Sequence, residues 1–151
     1  MKLAEALAER SDCQVRIEEL KKRMIRSARV QEGEPPAEDT DELLAEADRL
    51  FARLEELVSS INRTNSQTAF DGERTISDAI AARDLAAKKR DLLAGLAEAA
   101  STRQDRYSKS EVRFVATVSV ANLQKRVDAM SKLYRELDTK LQELNWRTEI
   151  V

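Results

Sequence analysis

Two groups of residues in this chain have side chains suited to binding a charged or aromatic partner. The first is Arg29, Glu32, Arg103, Arg106, Tyr107, Glu111 and Arg113. A guanidinium grips phosphate or carboxylate with two parallel donors, and interleaved carboxylates hold such forks in place. The same set equally suits a salt-bridged contact between subunits, or a solvated network of arginines complementing helix C-termini. The second group is Asn62, Asn65, Phe70, Asn145 and Trp146. Asparagine at a seam position sets helix register, and a lone tryptophan packed through Phe70 would anchor a docking surface. Its plainer alternative is a pair of helix ends whose carbonyls the asparagines cap.

Covalent or acid–base chemistry has little to work with. The chain contains no histidine, so a nucleophile would depend on lysine, a carboxylate or an activated cysteine. The single cysteine, Cys13, falls on the apolar side of a helix, where a thiol packs as a small hydrophobe and has no disulfide partner. The Glu-x-x-His pairs of di-iron bundles are impossible, and no glycine-rich loop is present to cradle phosphate. The expectation is a protein that is not an enzyme, with no catalytic, metal or cofactor-binding residue. The one basic run, Lys21-Lys22-Arg23 with Arg16, Arg26 and Arg29, is followed by Glu32, Glu34, Glu38, Asp39, Asp41 and Glu42, which cancel its field. No aromatic interleaves the run to stack bases, so nucleic acid is not an expected partner.

The elements that must position these residues are helical. Leu43, Ala47, Leu50, Leu54, Leu57 and Ile61 form one seam, and Val120, Leu123, Val127, Met130, Tyr134, Leu137, Leu141 and Leu144 another. Steps of three and four keep such a row facing a neighbouring helix. A first helix is expected from about Lys2 to Ala28, burying Leu3, Ala6, Cys13, Ile17, Leu20 and Met24, until Gly33-Glu34-Pro35-Pro36 ends it. Asp39 with Glu42 reads as a capping box for a second helix reaching Asn62-Arg63-Thr64-Asn65, and Thr75 with Asp78 as one for an alanine-rich third. Gly95 is the weak point of that third helix. Ser119 caps a fourth, which ends near Asn145-Trp146.

Two short extended pieces are also expected. Asp71-Gly72, within Thr68 to Thr75, is the turn signal of a small β-hairpin. Val112, Phe114, Ala116 and Val118 alternate as in a strand, which would pair with extended residues 28–32 or leave an edge open to a second chain. A helix of some 30 residues is ~45 Å long, so these pieces would cap opposite ends of a rod. The fold class is therefore all-α: an up-down bundle of about four long helices with coiled-coil-like seams, a short hairpin and a short strand, in a single domain spanning 1–151.

Composition agrees. Charged residues make up 36% and aromatics 4% of the 151 residues, with three glycines and two prolines, as in long amphipathic helices. The formal net charge of -2 with mixed signs describes a solvated surface. Met1-Lys2-Leu3-Ala4-Glu5 does not read as a signal peptide, and no uncharged stretch approaches the ~20 residues that span a bilayer. A cytoplasmic location is expected, and a membrane is a disfavoured partner.

Taken together, several segments resemble a known family: Glu32-Gly33 with its neighbouring prolines, Ile61-Asn62-Arg63-Thr64-Asn65, Arg103-Gln104-Asp105-Arg106-Tyr107-Ser108 leading into Glu111-Val112-Arg113-Phe114-Val115, Arg135-Glu136-Leu137-Asp138, and Gln142-Glu143-Leu144-Asn145-Trp146. Over nearly its whole length the chain is similar to a family of small uncharacterised bacterial helical proteins, some labelled "septicolysin". The resemblance implies no active-site residues. The label implies a membrane-active, pore-forming protein, for which Val112 to Val118 is the segment that could insert. The residues themselves favour a structural or interaction protein that self-associates as a homo-oligomer through helical seams and β-capped ends, its other protein partners unknown. Binding of an anion or phosphate ligand at the arginine-rich group is a further alternative.

Overall fold

The computed structural model describes residues 1–101 and 112–151. Among the described residues there are four helices, α1 (Leu3–Ser27), α2 (Thr40–Gln67), α3 (Ile76–Ser101) and α4 (Val120–Arg147). The chain divides into two compact units, Met1–Ala69 with Glu143–Val151, and Phe70–Gln142.

In the first unit α1 and α2 pack as an antiparallel pair. Ala6, Cys13, Leu20 and Ser27 recur every seventh residue of α1, and all four are buried. That period keeps one narrow stripe against a neighbour along the whole helix. Leu20 meets Leu43 and Ala47 of α2, with Met24 and Leu50 closing over them. Gly33 turns the connection with φ of 88°, a left-handed conformation that costs glycine nothing. The Asp39 carboxylate then accepts the Asp41 amide at 3.0 Å and starts α2.

The ends of the first unit meet in an isolated antiparallel bridge between Lys2 and Glu149. The Leu3 amide donates to the Thr148 carbonyl at 2.8 Å, and that of Ile150 to the Met1 carbonyl at 3.0 Å. Thr64, 1% exposed, accepts the Val151 amide on its hydroxyl at 3.0 Å and donates to the Ser60 carbonyl at 2.8 Å. A buried hydroxyl with both functions satisfied holds the C-terminal residue without leaving a polar atom unpaired.

In the second unit α3 and α4 are also antiparallel. Leu93, Ala97 and Leu123 form its core with Val118, Val120, Val127 and Met130 around them. Farther along, Arg83 donates to Asp138 at 2.9 Å, and the Arg90 guanidinium lies 5.5 Å from the centre of the Tyr134 ring. The Thr75–Asp78 capping box forms in both directions: the Thr75 amide donates to Asp78 at 2.8 Å and the Asp78 amide to Thr75 at 3.3 Å. Ser119 accepts the Asn122 amide at 3.2 Å and opens α4.

The expected extended pieces do not form. No hairpin of paired strands develops at Asp71-Gly72, because α2 runs to Gln67 and α3 begins at Ile76, leaving room on the flanks for no more than the single bridge residues Ala69 and Thr75. The segment is instead a compact turn in which the Phe70 and Asp71 amides converge on the Arg74 carbonyl, at 2.8 and 3.3 Å. The Asp71 carboxylate gathers the Glu73 and Arg74 amides, at 3.0 and 2.8 Å. Neither residues 112–118 nor residues 28–32 form a strand. Alternation alone does not make a strand; the backbone donors also need a paired ladder.

Gly95 does not interrupt α3, and a Cβ built there meets nothing within 4 Å. Gly95→Ala is therefore expected to raise stability by about 0.5–1 kcal/mol, read from the midpoint of chemical denaturation.

Candidate interaction surfaces

The sequence-selected groups are only partly within the described residues. Arg29 and Glu32 are exposed in the connection between α1 and α2, and Arg113 is exposed before α4. Arg103, Arg106, Tyr107 and Glu111 lie outside the described residues. Among those described, Arg29, Glu32 and Arg113 take part in no salt bridge.

The residues of the second group are divided between the two units and differ in burial. Trp146 is 64% exposed, while Asn145 beside it is half-buried. Asn62 is exposed and its backbone carbonyl accepts the Ser66 hydroxyl at 2.8 Å. Asn65 is half-buried, with its side-chain oxygen enclosed and unbonded. Phe70 is buried in the second unit, and its ring has Arg74 at 5.2 Å and Lys140 at 4.5 Å. Two cations on one aromatic ring hold the turn against α4, a structural task.

The strongest electrostatic feature went unseen in the sequence. Glu9, Arg16 and Arg23 recur every seventh residue of α1 and face Arg53, Glu46 and Arg23's partner Glu38 in turn. Arg53 grips Glu9 with two nitrogens at 2.7 and 2.9 Å, and Arg16 meets Glu46 at 3.2 Å. Arg23 grips Glu38 through two nitrogens. The acid is on α1 in the first rung, on α2 in the second and in the connection just before α2 in the third, so sliding α1 by one rung along α2 would set Glu9 against Glu46 or Arg16 against Arg53. Such half-exposed pairs add little stability, but they do specify register and direction. The spacing of Glu9, Arg16 and Arg23 was the available signal.

These contacts move the carboxylates' pKa values down. Hydrogen bonds from Arg53 lower that of Glu9, and those from Arg23 lower that of Glu38. Lys2 and the terminal ammonium do the same to Glu149, and the Thr75 amide and hydroxyl to Asp78. The Arg74 guanidinium, helped by the Glu73 and Arg74 amides, takes Asp71 from 3.8 to about 2.

Outside the cores, two helices present aligned apolar side chains to solvent. Leu44, Phe51 and Val58 stand at intervals of seven on α2, exposed by 50, 54 and 36%. Leu85, Leu92 and Leu96 of α3 are exposed by 62, 68 and 42%. Single exposed leucines are ordinary on a protein surface, but rows in helical register mark contact surfaces. Among the described residues no three His, Cys, Asp or Glu side chains gather as a metal site, and no helix is long and apolar enough to cross a membrane.

Because each of these carboxylates has a folded pKa below its unfolded one, its contribution is present above the ordinary carboxylate range and lost as pH falls through the folded value. Acid titration should show stability declining below pH 4.5 and continuing to fall toward the Asp71 value of about 2. Asp71→Asn should lower stability at neutral pH and flatten the most acidic part of that curve, followed by circular dichroism.

The fold has a counterpart among solved proteins. A crystal structure of "a functionally unknown conserved protein from Corynebacterium diphtheriae" superposes with a TM-score of 0.95 at 46% identity, covering 100% of this chain and 99% of that one. No curated protein matches the sequence. Residues 10–150 match the family of unknown function DUF6847, and with that match over almost its full length the chain belongs to this family.

Proposed function

We propose that this protein is a non-catalytic, cytoplasmic structural or interaction protein that self-associates through the outer faces of its helices. The observation that carries this reading is the pair of solvent-facing apolar rows on α2 and α3. The leucines of the inner seams, among them Leu20, Leu57, Leu123 and Leu141, are already buried within the chain and are not free to bind a second copy. The outer rows are free. Burying one large apolar side chain is worth ~1.5–3 kcal/mol, so a few together can offset part of the entropy lost on association.

Light scattering coupled to size exclusion across micromolar concentrations tests the reading. Mass should rise with concentration toward a multiple of the monomer. A single monomeric species throughout would overturn self-association.

A second reading, a septicolysin-like membrane-active protein, is favoured by one segment. Val112, Phe114 and Val115 precede α4 outside any regular element, exposed by 62, 82 and 77%. Apolar side chains offered together in a non-helical segment suit insertion into a headgroup layer as well as docking to a protein. Release of a trapped dye from liposomes separates the two readings. The interaction role predicts no release with neutral or anionic lipid at neutral or acidic pH, and release abolished by Phe114→Ser would favour the membrane role instead.

A further inference from the structure

We infer that self-association is heterologous: the outer face of α2 on one copy docks against the outer face of α3 on a second copy. This rests on the self-association reading and specifies its surfaces.

Both faces follow the four-then-three spacing of a helix-pairing seam, yet neither is closed within the chain. On α2 the row is Leu44, Asp48, Phe51, Glu55 and Val58, with carboxylates in the alternate positions. On α3 it is Leu85, Lys89, Leu92 and Leu96, with an ammonium in the alternate position and Lys88 alongside. All of these residues are exposed, Val58 the least.

The charges on the two rows are uncommitted. Asp48, Glu55, Lys88 and Lys89 take part in no salt bridge among the described residues. The acids that flank the α3 row, Asp84 and Asp91, are each held at 3.0 Å by the adjacent Arg83 and Arg90. The outward charge of the α3 row is therefore that of its lysines, and the charge of the α2 row that of its carboxylates.

This decides between the possible pairings. Two α2 faces would oppose carboxylates across a leucine seam, and two α3 faces would oppose lysines; like charges placed together at an interface disfavour it. An α2 face on an α3 face buries apolar rows of matching period and sets Lys89 among Asp48 and Glu55. Gly95 and Ala99, both exposed beside the α3 row, let the opposing helix approach closely. A contact between unlike faces leaves one of each unfilled on the outer copies, so it propagates until a ring closes or a filament grows.

Charge reversal tests the assignment. One variant carries Asp48→Lys with Glu55→Lys, making both of its faces basic. Another carries Lys88→Glu with Lys89→Glu, making both acidic. In sedimentation velocity each variant alone should associate roughly tenfold or more weakly than the unaltered protein. An equimolar mixture of the two should recover association, since each then offers the other a complementary face. Helical content by circular dichroism shows that the variants fold, and Asp48→Asn with Glu55→Gln, a milder change, should fall between. If the unaltered protein associates and either reversed variant does so equally well, or the mixture recovers nothing, the α2–α3 assignment is overturned while self-association stands. A monomeric unaltered protein overturns both.

Discussion

The narrow seam of α1 is the constraint on which the first unit depends. Its buried positions are filled by Ala6, Cys13, Leu20 and Ser27 at one per two turns, three of them small. Small side chains bring α2 close, and close approach is what allows Arg53 to reach Glu9, and Arg23 to reach Glu38, across the groove. Packing supplies the stabilisation; the ion pairs select one alignment out of several that the apolar stripe alone would tolerate. The second unit solves the same problem differently, with bulkier Leu93 and Leu123 in its core and Arg83 and Arg90 reaching Asp138 and the Tyr134 ring.

A seam this narrow has a corollary for the surface. A chain with 42% hydrophobic residues but only 4% aromatics fills its cores with many modest side chains. Those beyond the inner stripes, such as Leu44, Phe51, Leu85 and Leu92, remain on outer faces. These exposed faces are thus produced by the same patterning that builds the helices, and they differ from the cores chiefly in the charges set between the leucines.

Local sequence spoke clearly where the physics was local. Leucine periodicity located the four helices, and Asp39, Thr75 with Asp78, and Ser119 announced three of their starts through hydrogen bonds spanning two or three residues. It misled at Asp71-Gly72, where a turn signal was real but the neighbouring helices left no room for strands. It misled again at Val112 to Val118, where alternation was present and no strand forms. What it did not reveal depends on residues far apart in the chain: the rungs between α1 and α2, and the bridge that ties Lys2 to Glu149. The arginine-rich group was legible as a set of side chains, but Arg103, Arg106, Tyr107 and Glu111 fall outside the described residues.

Cys13, 5% exposed and enclosed in the stripe that α1 buries, has one more implication. A thiol in that place is shielded from alkylating reagents for as long as the helix stays seated. Its modification rate in a native protein would scale with how often that part of the structure opens. The chain thus carries, as its single cysteine, an internal clock for the breathing of its own hairpin.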